Sequence, residues 1–462
     1  MNALLSSVSV DADRGRPILD AATREVIGHA PIQTVEELNA AVAAAQAAQP
    51  AWAALGHAER SRLLRLIADD IDASAVELGE IITHEQGKVG GEGEAHGAAH
   101  WLRAAADIAL EPQVLAQDGD SRSELHYVPL GVVASIGPWN FPVMIGVWHI
   151  APALRMGNTV VIKPSEYTPL SVLALVEIFR RHLPEGVITA ISGDREVGAA
   201  LAAHPDIAKI VFTGSTATGR RIVESSANNL ARLTLELGGN DAGIVLPGTD
   251  VDAIADKLFW GAFMNTGQVC AALKRVYVHE SVYEPMVAAL AARADAAPMG
   301  SGHDKTNRLG PVQNPDQFAI VSRLVDDARE RGARIAAGGE PAADLGPLFY
   351  RPTIIADVED GAAIVDEEQF GPVLPVIKYS DVDDAVRRAN GLEQGLGASV
   401  WGPDADAAVE VAARLEAGTV WINQHGGVDP SIPFGGTKAS GYGLEFGVEG
   451  LKAMAATKVI RR

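Results

Sequence analysis

From Val128 to Ile422, short apolar runs bounded by Gly, Pro and Asn alternate with stretches of helical period. Runs of four to eight apolar residues separated by helices predict a parallel, doubly wound α/β sheet. In the first half the strands fall at Val132–Ile136, Thr159–Ile162, Ile188–Ile191, Ile210–Phe212 and Leu233–Leu237, with helices at Leu170–Arg181, Val197–Ala203 and Thr218–Ser226. A second alternating block runs from Ala242 to Ile422. Its strands lie near Val276–Val278, Val376–Tyr379 and Thr419–Ile422, and its helices near Asp252–Asn265, Tyr283–Arg293, Asp316–Arg331 and Ala405–Ala413. The first hundred residues read as a helical cover layer. Thr34 and Glu37 have capping-box spacing, an Ala-rich helix follows to Ala48, and a second helix fits Glu59–Asp72. The polar stretch Glu111–His126 reads as a hairpin leaving the domain body.

Composition narrows the function classes. At 462 residues the chain exceeds what one hydrophobic core supports, and an apolar fraction of 47% is ample for two or three. With 59 acidic against 38 basic residues the charge is −21, a field that repels nucleic acid and anionic membranes. The most apolar stretch, Gly131–Leu154, is broken by Pro138, Asn140, Pro142, His149 and Pro152, which a membrane span accommodates poorly. No basic flank precedes the apolar residues at the N-terminus, so no secretory signal is read there. A soluble protein of a reducing cytoplasm is expected.

Cys270 is the single cysteine. It has no disulfide partner in the chain, and one thiol does not hold zinc, which leaves a packed apolar residue or a nucleophile. Val160–Glu166 reads as a strand ending in Lys163, with Glu166 after a turn, at the strand end where α/β sheets bind ligands. A carboxylate there suits ribose hydroxyls and repels a 2′-phosphate; the alternative is an exposed ion pair. Phe212–Gly219 opens a helix with Gly214 and Ser215, donors suited to phosphate, although it is neither a P-loop nor a Gly-x-Gly-x-x-Gly fingerprint. Glu236, at an apolar strand end before Gly238 and Gly239, becomes a general base if buried alone, or a structural partner if it meets an arginine. Asn140 sits in the frame Pro138–Pro142 and suits an oxyanion donor or a turn-capping amide. His96 and His100 have helical i, i+4 spacing, but lack a zincin glutamate and a nearby third ligand, so no metal is expected.

Together with Glu85–Lys88, Glu367–Pro372 and Pro433–Gly441, these motifs in this order resemble the aldehyde dehydrogenase superfamily along nearly the whole chain. The resemblance implies a variant Rossmann cofactor domain (1–110 and 128–236), an α/β catalytic domain (237–435) and a small β oligomerisation element (111–127 and 436–462) that forms a homodimer or homotetramer. It implies NAD as cofactor, NADP being less favoured by Glu166. Lys163 and Glu166 would hold the adenosine ribose, Ser215 with Gly214 the pyrophosphate, and Glu368, Phe370 and Trp139 the nicotinamide end. Cys270 would attack an aldehyde, Asn140 would hold the oxyanion, hydride would pass to the nicotinamide, and Glu236 would activate water to hydrolyse the thioester. Phe141, Met144, Trp148, Phe263, Met264, Val269, Ala271 and Phe434 would line the substrate tunnel for a medium-sized aliphatic or aromatic aldehyde. His425, in the loop at its mouth, would either contact substrate or cap the loop. A CoA-acylating relative, or a silent binding protein on the same fold, are the alternatives.

Overall fold

The computed structural model describes residues 2–462. Two largely parallel sheets carry the molecule. The first has six strands in the order 441–442, 232–237, 207–214, 132–136, 159–163, 188–190, and every pair is parallel except the short edge strand at 441–442. Val132–Ile136, earliest of these in sequence, lies between Ile207–Gly214 and Thr159–Lys163, so the connections leave its carboxyl end in opposite directions. That reversal opens a crevice where ligands bind in such sheets. The strand residues are almost wholly buried, because helices cover both faces.

The second sheet has seven strands in the order 334–337, 353–356, 373–379, 273–279, 241–245, 397–401, 419–422, parallel apart from its 334–337 edge. Besides the short edge strand Arg334–Ala337, three of these strands, Asp241–Val245, Thr353–Ala356 and Gly397–Trp401, were not expected from the sequence. Each is buried on both faces and therefore lacks the alternation that marks a half-exposed strand.

The N-terminal layer is more extensive than the sequence pattern predicted. The first helix keeps its capping box at Thr34 but runs from Val35 through Pro50 to Ala54. Two further helices, Ala75–Gln86 and Gly91–Asp107, were missed: small residues at Gly79, Gly91 and Gly97 blur their apolar stripe. The first pair must meet closely, since a Cβ on Gly79 would lie 2.5 Å from the Glu92 Cα. The apolar stretch after Pro142 is a helix, Pro142–Arg155, buried against that layer. No helix is long and apolar enough to cross a membrane among the described residues.

The hairpin Gln113–Asp118 and Ser121–Pro129 forms a separate three-stranded sheet with the C-terminal strand Ala455–Arg461, all antiparallel. Its faces expose Val114, Leu115, Val459 and Ile460.

Candidate active site

The carboxyl ends of the first sheet's strands supply the floor of a cleft of about 680 Å³. Ile136 leads into Pro138–Asn140, Lys163 ends its strand, Gly214 ends another, and Glu236 lies one residue from the end of a fourth. Lys163, Glu166, Gly214, Ser215, Trp139, Asn140, Glu236, Cys270, Glu368 and Phe370 all line this one cleft. Residues scattered over more than two hundred positions thus share a wall because parallel strands discharge their loops on the same side.

The two ends of the cleft differ in character. At the open end Lys163 Nζ lies 3.3 Å from Glu166 Oε1, an ion pair half open to solvent. Ser215 is the N-cap of the helix Thr216–Ser226 and accepts from the Thr218 amide, and both residues line the cleft, which places a helix N-terminus at its wall. At the closed end the Glu236 carboxylate is buried with no hydrogen-bond partner on either oxygen. Burial, then the neighbouring charge of Glu445, raises its pKa well above the ordinary value. No arginine pairs with it, so the structural alternative for Glu236 does not describe this site.

Cys270 is half-buried, and burial together with the carboxylates of Glu236, Asp241 and Glu368 pushes its thiol up to about 12. Lys274, on the strand that follows, is the cation in this group; its ammonium donates to the Gly267 carbonyl at 2.5 Å and lies 5.0 Å from the Phe370 ring. Burial lowers its pKa, while Glu368, Asp241 and Cys270 work to keep it charged. Glu368 is itself raised to about 7, mainly by burial. One of its oxygens has no partner, and a Cβ on Gly238 would fall 2.2 Å from the other, so glycine is what leaves room for this carboxylate.

The turn before Cys270 is held in an unusual conformation. Asn265 and Thr266 both adopt left-handed backbone, at φ 51° and 59°. For a β-branched threonine this costs on the order of 1–3 kcal/mol and persists only where the surroundings over-determine it. Here Thr266 Oγ1 donates to the Gly310 carbonyl at 3.2 Å and accepts from the Gly310 amide at 3.0 Å. Asn265 Nδ2 donates to the Asn140 and Gln268 carbonyls. The Asn140 side chain donates to the Gln268 carbonyl at 3.0 Å, which fixes its plane and leaves its second N–H uncommitted.

The N-terminal layer also reaches this turn, contrary to its reading as cover alone. Lys88, in a buried ion pair with Glu94, donates to the Asn140 carbonyl at 2.8 Å and lies 3.6 Å from the Phe141 ring centroid. Glu94 Oε1 accepts from the Val143 and Met144 amides at the start of their helix. Lys88, Glu94, Lys274 and Glu445 were missed by sequence reasoning. The Glu85–Lys88 motif was the one signal for the first of them.

The expected tunnel residues separate into groups. Phe141, Met144 and Met264 line a second cavity of about 320 Å³ with Trp260 and Arg308. Trp148 and Phe434 instead pack into an aromatic cluster with Trp101 and Phe446. Val269 is half-buried and Ala271 buried beside Cys270. Phe263 faces away, stacked on Phe259 at 4.4 Å inside the core under the second sheet. His425 does not stand at a mouth: its ring is fully buried, with Nδ1 2.9 Å from Ser399 Oγ and Nε2 3.6 Å from Asp241. His96 pairs with Asp72, and His100 lies exposed on the same helix.

The family model described as "Aldehyde dehydrogenase family" matches residues 8–460. The chain belongs to the aldehyde dehydrogenase family. This aldehyde dehydrogenase homologue is therefore an oxidoreductase of a family acting on aldehydes. It is 39% identical to a phenylacetaldehyde dehydrogenase of Pseudomonas fluorescens, covering 98% of this chain and 93% of that protein. Among solved structures, the NAD+ complex of an aldehyde dehydrogenase from Bacillus cereus superposes with a TM-score of 0.94 at 35% identity, over 97% of this chain and 93% of that one. Lactaldehyde dehydrogenase from Escherichia coli does so with a TM-score of 0.94 at 33% identity, over 98% and 96%.

Proposed function

We propose that this aldehyde dehydrogenase oxidises a medium-sized aliphatic or aromatic aldehyde to a carboxylic acid with NAD, using Cys270 as nucleophile, Asn140 as oxyanion donor and Glu236 as base. The observation that carries the reading is the shared cleft: a thiol, an unpartnered buried carboxylate and a fixed amide line one cavity with Lys163, Glu166 and Ser215. The residues fit the cofactor. The orphaned Glu368 oxygen, the open helix terminus at Ser215 and the Lys163–Glu166 pair offer acceptors and donors at the places where ribose hydroxyls and a pyrophosphate would lie. Bound there, NAD would supply a hydride acceptor. Glu166 disfavours the extra phosphate of NADP.

The chain's own residues perform the rest. Because the Cys270 thiol is held protonated in this setting, attack on the carbonyl carbon requires its proton to leave as the C–S bond forms, and Glu236 is the buried base sharing its cavity. The Asn140 side-chain N–H and the Cys270 backbone N–H then face the developing oxyanion. Once the adduct is oxidised to a thioester and Glu236 has released the thiol proton to solvent, Glu236 takes a proton from water. The hydroxyl adds to the acyl carbon, the C–S bond breaks, and the acid leaves with the thiolate restored. Burial and the Glu445 charge keep Glu236 a strong enough base for that step.

Phe141, Met144 and Met264, together with the Trp148–Phe434 cluster, supply apolar surface nearby, which supports a medium-sized aliphatic or aromatic substrate. We place the protein in the cytoplasm, where its single thiol stays reduced. The chain divides into the cofactor, catalytic and oligomerisation parts given above. The exposed apolar residues of the three-stranded sheet support a homodimer or a dimer of dimers, and light scattering showing a stable monomer would refute it.

The test is NAD reduction by purified protein over a panel of short aliphatic, long aliphatic, aromatic and carboxylated aldehydes, with and without CoA, beside Cys270→Ala. Turnover independent of CoA and absent from the variant is expected. Strict dependence on CoA would favour an acylating enzyme, against which Glu236 argues. Silence with every aldehyde would favour a binding protein on this fold.

A further inference from the structure

Away from the cleft, three donors from remote parts of the chain converge. Asp20 follows the strand Gly15–Leu19, His84 lies in the last turn of the helix Ala75–Gln86, and His303 sits in the loop 300–310. Asp20 Oδ2 is 2.6 Å from His84 Nδ1, and His303 Nε2 is 3.2 Å from that same nitrogen. One ligand atom from each lies within 4.8 Å of the others. Asp20 Oδ1 is already committed, accepting from the Ala22 and Thr23 amides at 2.8 Å, and this aims Oδ2 at the imidazoles. Hydrogen bonding alone leaves the cluster incomplete: a single His84 Nδ1 faces two partners and holds one proton at most.

We propose that Asp20, His84 and His303 form a binding site for a divalent transition-metal ion of the zinc type, with one coordination position open to solvent. Tetrahedral ligands at zinc distances lie roughly 3.4 Å apart, so the cluster has only to open slightly around an ion. Two imidazoles and one carboxylate select zinc or its neighbours over magnesium and calcium, which prefer all-oxygen sets. Asp20 is buried while His303 is exposed, which gives an ion a route in.

The position gives such an ion a mechanical role. The His84 helix runs directly into Gly87–Lys88, and Lys88 donates to the Asn140 carbonyl. The His303 loop packs backbone to backbone on the same turn: a Cβ on Gly302 would lie 2.3 Å from the Lys88 carbonyl, and one on Gly310 2.2 Å from that of Gly87. Gly310 in turn exchanges two hydrogen bonds with Thr266. An ion joining His84 to His303 would brace the two supports of the turn that carries Cys270. The spacing rule that discounted His96 and His100 has no reach here, since these partners are 64 and 219 positions apart.

The experiment titrates the full-length protein with Zn2+ by calorimetry and with Co2+ by absorption, using Mg2+ as the control cation, beside His303→Ala and Asp20→Asn. His303 is exposed, and asparagine retains the Oδ1 that caps the Asp20 turn, so both variants keep the fold; an unchanged metal-free melting temperature checks this. The expected result is one ion per chain, with Co2+ bands of four- or five-coordination and no thiolate charge-transfer band. Affinity should fall at least about tenfold in either variant, and zinc should raise the melting temperature of the parent alone. Absence of stoichiometric binding, equal affinity in the variants, or a thiolate band placing the ion on Cys270 would each overturn the proposal.

Discussion

The open and closed ends of the cleft solve different problems with different materials. The end proposed for the nucleotide uses regular geometry, in which a strand end places Lys163 and Ser215 caps a helix beside it. Lys163 is buried there, while Glu166 and Ser215 meet solvent. The chemical end is built from irregular backbone and remote segments: a left-handed turn at Asn265–Thr266, the carboxylates Glu236, Glu368 and Glu445, and the cation Lys274. Exclusion of water there raises the carboxylate and thiol pKa values. In the proposed reading the same fold binds with partly exposed groups and reacts with buried ones.

That contrast fails first at Glu236. Glu236→Gln is expected to cost about a hundredfold to ten-thousandfold in steady-state turnover. Because Glu236 also takes the Cys270 proton in the proposed mechanism, the rapid first turnover should be lost in pre-steady-state traces as well, and a surviving burst would leave Glu236 the hydrolytic step alone. Loss of the burst would assign it both tasks. Asn140→Ala is expected to lower kcat by about a hundredfold to a thousandfold, the scale for one oxyanion donor. A similar loss confined to KM would reduce Asn140 to a turn-capping amide. At the open end, Glu166→Gln should relax the preference for NAD over NADP by about tenfold with kcat for NAD little changed, as a half-exposed charge would. A collapse of kcat would break the division between the two ends.

The smallest effect expected is a shift of pH profile. Glu445, raised to about 8 mainly by burial, is the neighbouring charge that lifts Glu236 further. Glu445→Gln removes that repulsion, so the acidic limb of kcat should move to lower pH. Stability follows the opposite logic from a salt-bridged carboxylate. The folded state binds these protons more tightly than the unfolded chain, whose value is near 4.5. Their contribution is complete below that pH and is lost as pH rises toward about 8. The melting temperature of the parent should therefore fall more steeply from pH 5 to 8 than that of Glu445→Gln, and parallel curves would remove Glu445 from the account.

Much of the architecture could be read before folding because period and punctuation are local. Val132–Ile136 and Thr419–Ile422 emerge with the bounds expected, since Gly, Pro and Asn flank each run. The candidate groups Cys270, Glu236 and Asn140 each kept a packing or capping alternative in their own segments, and stood out through the order of motifs that resembles the family. Other elements stayed hidden for physical reasons. Gly397–Trp401 is buried on both faces and shows no alternation. Phe263 and His425 look like pocket residues in sequence, yet direction around a helix and the depth of a loop turn both into the core.

The sequence by itself determined the alternating α/β order, the family, and the residue types able to bind a nucleotide and attack a carbonyl, because these rest on short-range patterns. Only the tertiary structure decided that Lys88 and Glu94 support the Asn140 turn and that Glu445 lies beside Glu236. It alone brought His303 to His84 and Asp20. Burial and proximity belong to pairs of residues far apart in the chain, and it is burial and proximity that set a pKa or complete a ligand shell.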